Sequence, residues 1–150
     1  MTRVFDITKA ESLPEVAEEI LSEARAARTS SQATVLALHG DLGAGKTTFV
    51  QTVGRLLGVQ EDITSPTFVV MKKYDINETW RKLIHIDAYR LESSEELSVL
   101  DLETEISNPE NIIFIEWAER VSEILPANTA HLEFSLLNQE RFLKYNHGSD

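Results

Sequence analysis

Eight consecutive residues, Gly40-Asp41-Leu42-Gly43-Ala44-Gly45-Lys46-Thr47, fit the pattern G-x-x-x-x-G-K-[ST] at every fixed position, and they constrain this chain more than any other feature. The spacing has a physical reason. Glycines let the backbone wrap a polyphosphate with its N–H groups turned inward, and a helix starting there adds its positive N-terminal end. Lys46 is then in reach of the β- and γ-phosphates, and the Thr47 hydroxyl is a Mg2+ ligand. The flanks agree with this. Thr34-Val35-Leu36-Ala37-Leu38 is an almost wholly apolar run too short for a helix, as expected of a strand buried on both faces. Phe49, Val50, Val53, Leu56 and Leu57 make a helical stripe after the motif, closed by Gly58.

A phosphate-binding loop of the P-loop NTPase kind needs a second Mg2+ anchor at the end of a neighbouring strand. Ile112-Ile113-Phe114-Ile115-Glu116 supplies four apolar residues ending in a carboxylate. Glu116 is therefore the expected metal anchor, although aspartate is the usual residue there; the alternative is an exposed acid capping the next segment. Between the two motifs, Thr67–Tyr74 and Trp80–Asp87 are alternating runs joined by a polar turn over 75–79, which predicts an antiparallel hairpin. On its second run His85, Asp87 and Tyr89 share one face. Beside the loop, Asp87 would hold a metal-bound water or position the attacking one; otherwise it is a turn or capping acid. A metal site built from His85 and Asp87 is disfavoured, because the four histidines (His39, His85, His131, His147) are scattered. Ser65-Pro66-Thr67 reads either as a plain strand-entry turn or as a hydroxyl sensing the γ-phosphate. Trp117 is either core or a partner contact.

Ser12-Leu13-Pro14-Glu15 has the form of a capping box ahead of a stripe of Leu13, Val16, Ala17, Ile20, Leu21 and Ala24, and Val4–Ile7 is a short first strand. With 150 residues, no repeat and no linker, a single domain over 1–150 is expected, large enough to hold its core without disulfides, which the absence of cysteine excludes. The fold class is α/β: a three-layer P-loop NTPase domain with a mainly parallel sheet. The hairpin and C-terminal strands near Ala130–Leu136 and Arg141–Tyr145 extend that sheet, and the ligand lies at the carboxyl ends of the parallel strands. No apolar stretch approaches the ~18 residues of a membrane span, and the start lacks the order of a signal peptide, so the expected location is the cytoplasm.

Lysine and arginine number 14 against 25 acids, a net charge of 14 − 25 = −11. That field repels phosphate backbones, so sequence-independent nucleic-acid binding is not expected. Ten of the acids fall between Glu92 and Glu123, as a solvated face or a surface for a basic partner.

The chain resembles the TsaE (YjeE) family of bacterial tRNA threonylcarbamoyladenosine biosynthesis. The resemblance is carried in order by residues 39–49 (HGDLGAGKTTF), 65–68 (SPTF), 85–91 (HIDAYRL) and 115–117 (IEW), and it spans nearly the whole chain. It implies a Mg2+-dependent ATPase that binds the TsaB–TsaD pair and drives its cycle, while TsaD performs the carbamoyl transfer. It also implies that Gly40, Asp41, Leu42, Gly43, Ala44, Gly45, Lys46, Thr47 and Thr48 hold ATP, that Thr47 and Glu116 bind Mg2+, and that Asp87, with Lys46 and Glu116, is needed for hydrolysis. Arg141 corresponds to a C-terminal nucleotide-contacting arginine, with one departure: the turn before it, Asn138-Gln139-Glu140, has no glycine.

Two other classes compete. A small-molecule or nucleotide kinase shares the loop but needs an arginine-rich lid, and the arginines here are dispersed. A nucleotide-gated interaction module would hold ATP without turning it over, which Asp87 and Glu116 argue against. A GTPase is excluded by the lack of N-K-x-D, since no asparagine is followed by lysine.

Overall fold

The computed structural model describes residues 2–40, 45–64, 71–88 and 99–147, except the side chains of 99–101. In chain order the elements are β1 (Thr2–Asp6), α1 (Leu13–Ala26), β2 (Thr34–Gly40), α2 (Lys46–Leu56), β3 (Met71–Glu78), β4 (Trp80–Asp87), α3 (Val99–Ile106), β5 (Asn111–Glu116), β6 (Ala130–Leu137) and β7 (Glu140–His147), with 3₁₀ segments at Ala10–Ser12 and Ala118–Ile124. The strands form one seven-stranded sheet in the order β1-β7-β6-β2-β5-β4-β3. Its centre, β6-β2-β5-β4, is parallel. The hairpins β3-β4 and β6-β7, and β1 against β7, add antiparallel pairs at both flanks. None of the described helices is long and apolar enough to cross a membrane.

The apolar runs of the central strands are continuous because both faces of the sheet are covered. On one face, Leu36, Leu38, Leu83, Ile112, Phe114, Leu132 and Phe134 pack against the stripe of α1 and against Phe49, Val50 and Val53 of α2. On the other, Val35, Ala37, Ile84, Ile86, Ile113 and Ile115 pack under Leu102 and Ile106 of α3 and under Ala118 and Val121. The three expected layers are present. Phe49, three residues after Lys46, meets Phe114 and Phe134 edge-on, with ring centroids 6.2 and 5.6 Å away, and so pins the start of α2 over two strands.

Local chemistry departs from the sequence pattern in two places. Ser12 caps nothing: its backbone is already helical (φ −78°, ψ −25°), because the 3₁₀ turn Ala10–Ser12 runs straight into α1 and carries the hydroxyl away from the open N–H groups. The polar stretch 75–79 is largely strand, since β3 continues through a bulge between Asp75 and Glu78 and Thr79 alone takes a left-handed conformation (φ 68°).

The glycine-free hairpin between β6 and β7 is a two-residue turn in which Asn138 (φ 52°) and Gln139 (φ 69°) are both left-handed, closed by the Leu137–Glu140 pair. Asparagine accepts that backbone at little cost, whereas glutamine does not. Gln139→Gly, which creates the preferred Asn-Gly turn, is expected to raise the unfolding free energy by about 0.5–1 kcal/mol. A melting temperature raised by roughly 2 °C in thermal unfolding checks this.

Candidate functional site

The site starts where β2 runs out. Gly40 has φ +135°, and a Cβ there would lie 2.4 Å from the Phe134 carbonyl oxygen, so only glycine lets β2 end flush against β6. Asp41, Leu42, Gly43 and Ala44 lie outside the described residues. Gly45, left-handed at φ 108°, then starts α2. Its N-cap, Gly45, has no side chain to close the helix, and the first turn contains no acid. A helix start of this kind, with neither a capping side chain on its N-cap residue nor an acid in its first turn, suits an anion, as the loop pattern requires.

Lys46 folds back over the strand ends. Its Nζ donates to the Gly40 carbonyl at 2.7 Å and lies 3.8 Å from Oε1 of Glu116, with both side chains mostly buried. Glu116 ends β5, in register with Asp87 at the end of β4 and with Leu38 near the end of β2. Strand alternation puts Glu116 on the face that holds Ile112 and Phe114, and puts Asp87 on the face that holds Leu83 and His85. That shared face carries α2, so the structure brings Lys46, Glu116 and Asp87 to one corner of the sheet. Thr47 is half-buried in the first turn of α2 and Thr48 is exposed beside it.

His85 does not build the His85–Asp87 metal pair weighed from the sequence. Its ring is fully buried, and Nε2 hydrogen-bonds Oε2 of Glu116 at 2.9 Å. Among the described residues no cluster of three or more ligating side chains is placed to hold a metal ion. Tyr89, Arg90 and Leu91, like Ser65-Pro66-Thr67-Phe68, lie outside the described residues. Trp117 is not core: it is 45% exposed, left-handed at φ 60°, and lines a small cleft with Leu38, His39, Gly40, Lys46 and Glu119. Arg141 stands at the same end of the sheet, two residues beyond the Phe134–Leu143 pair, but its side chain is exposed and makes no hydrogen bond or ion pair with described residues. Its backbone ties the hairpin to the segment after β1, through Ile7 and Thr8.

One pair escaped the sequence reading. His39 and His131, on adjacent parallel strands, share a hydrogen bond, His39 Nε2 to His131 Nδ1 at 3.0 Å, with Glu119 Oε1 3.9 Å from His39 Nδ1. Burial, and then the neighbouring His39, hold the His131 imidazole below its ordinary value of 6.5, while Glu133 opposes them weakly. The folded state therefore favours neutral His131, and its contribution to stability is present above 6.5 and lost as pH falls below it. Between about pH 7.5 and about pH 5.5, wild type should lose more unfolding free energy than His131→Asn, as measured by urea denaturation at each pH.

The comparisons with known proteins fit this geometry. The family model described as "Threonylcarbamoyl adenosine biosynthesis protein TsaE" matches residues 7–143. The chain belongs to the TsaE family. Proteins carrying the name "tRNA threonylcarbamoyladenosine biosynthesis protein TsaE" are similar to it: one from Nostoc sp. is 46% identical over 96 residues, covering 62% of this chain and 57% of that protein. One from Bacillus subtilis is 41% identical over 92 residues, covering 61% and 55%. The match thus spans little more than half the length of these two relatives. A TsaE protein from Rickettsia bellii is 34% identical over 128 residues, covering 84% of this chain and 86% of that protein. Among solved structures, Bacillus subtilis YdiB superposes with a TM-score of 0.68 at 26% identity, over 99% of this chain and 86% of that one. With the helix and parallel centre described above, the TsaE fold of this chain is that of a P-loop NTPase.

Proposed function

We propose that this chain is a Mg2+-dependent ATPase of tRNA threonylcarbamoyladenosine biosynthesis, working in the cytoplasm through a TsaB–TsaD pair. The observation that carries the proposal is the meeting of Lys46, Glu116 and Asp87 at the head of α2, in a chain of the TsaE family. Names of relatives supply the pathway, and the corner of the sheet supports the chemistry.

The donor set fits a nucleotide triphosphate and a hard divalent cation. Lys46 and the leading amides of α2 neutralise and orient the phosphates, together with the glycine-rich motif that precedes the helix in the sequence, and Thr48 adds a further contact. The Thr47 hydroxyl and the Glu116 carboxylate are the oxygen ligands for Mg2+, which supplies charge neutralisation at the phosphate oxygens when bound. Asp87 orients the attacking water, whose oxygen bonds to the γ-phosphorus as the bond to the bridging oxygen breaks and ADP leaves. Arg141, at the same end of the sheet, is proposed to contact the nucleotide. Catalysis here is positioning and electrostatics, so slow turnover by the isolated chain and stimulation by a partner that completes the site are expected.

The test is ATP hydrolysis with Mg2+ by the purified chain, alone and with a TsaB–TsaD pair from the same source. Stimulation by the pair supports the proposal. ATP bound but left intact, or its phosphate passed to a small molecule, would replace it with an interaction module or a kinase.

A further inference from the structure

We infer that His85 is a positioning residue that holds the Glu116 carboxylate for the divalent cation; this deepens the proposal above and rests on its reading of Glu116 as a metal ligand. The ring is 0% exposed, on a strand whose next residue on that face toward the chain start, Leu83, is apolar. Burying an imidazole among such neighbours is costly unless it makes a polar contact. It makes one: Nε2 lies 2.9 Å from Oε2 of Glu116. The other ring nitrogen, Nδ1, is buried without a hydrogen-bond partner among the described residues, so there the ring's only polar tie is Glu116.

The tie divides the carboxylate into two roles. Oε2 is taken by His85, while Oε1 is the oxygen that faces Lys46, 3.8 Å from its Nζ. Glutamate has one more rotatable bond than the aspartate usual at this position, and an unfixed carboxylate would lose that freedom on binding a cation. His85 removes the freedom in advance. The register permits it: His85 pairs with Phe114 and Asp87 with Glu116, so the imidazole reaches Glu116 along the diagonal between neighbouring strands.

The experiment titrates Mg2+ into the full chain with a fluorescent ADP analogue and compares wild type, His85→Leu, His85→Gln and His85→Asn, with an EDTA arm. The Gln amide nitrogen reaches the place of Nε2, whereas the Asn nitrogen stops short of it. Half-saturating Mg2+ is expected to rise about tenfold or more in His85→Leu and His85→Asn and to stay within about threefold of wild type in His85→Gln. Nucleotide affinity in EDTA should be shared by all four within about twofold, which a merely structural loss would not spare. Wild-type Mg2+ dependence in His85→Asn, or a Gln variant as impaired as Asn, overturns the inference; because both variants are polar and of similar size, the comparison survives if the Leu variant fails to fold. Glu116→Gln separates the two levels. If it keeps wild-type Mg2+ dependence, the metal role of Glu116 fails and this inference with it, whereas if it loses that dependence while His85→Asn does not, only the positioning role of His85 is lost.

Discussion

Lys46→Ala is expected to lower ATP turnover at least about a hundredfold, the effect of deleting one preorganised charge aimed at the reacting phosphate. The side chain already lies across the end of β2, bonded to the Gly40 carbonyl and facing Glu116, so it needs little reorganisation to meet a phosphate at the head of α2. Its removal also leaves Oε1 of Glu116 without its cationic neighbour, although His85 still holds the other oxygen. The fold should survive, because the 3.8 Å pair is long and the core beneath it, Phe49 against Phe114 and Phe134, is untouched. Steady-state phosphate release beside a thermal melt checks both halves, and hydrolysis at the wild-type rate would sink the proposed chemistry.

The second large effect is expected at Asp87. Asp87→Ala should reduce turnover by about a hundredfold or more while leaving the nucleotide dissociation constant within about threefold, since the proposed role is exerted on water and not on the bound phosphates. Its position supports this split: it ends β4 in register with Glu116, one strand further from β2 than Glu116 is. Nucleotide binding measured by fluorescence, paired with single-turnover hydrolysis, separates the two quantities. An equal loss in both would mean that Asp87 holds the strand end together instead.

Much of this was legible because its signals are local. The run before Gly40, the glycine pattern and the stripe of Phe49, Val50 and Val53 lie within one βα unit, and Ile112–Glu116 announces a buried strand with a polar end. Alternation alone put His85 and Asp87 on one face. Contacts that depend on how distant strands align were invisible. His85 meets Glu116, and His39 meets His131, only through pairings of β4 with β5 and of β2 with β6, which no single strand encodes. β1 likewise pairs with β7 from the opposite end of the chain. The capping box failed for another reason: residue types at the right spacing do not guarantee the extended backbone a cap needs, and at Ser12 the preceding turn had already made it helical.

The registered ends of β2, β4 and β5 carry one more consequence. Because side chains alternate with a period of two, sliding β5 by a single residue would send Glu116 to the opposite face and bring Trp117 or Ile115 into its place. Such a slip would also carry Ile112 and Phe114 to the face under α3 and Ile113 and Ile115 to the face under α2, so it is opposed by the packing of both cores. Lys46, Asp87 and Glu116 are therefore expected to meet only when the strands are in this register, and slow amide exchange along β5 is expected to gauge how much of a population is competent.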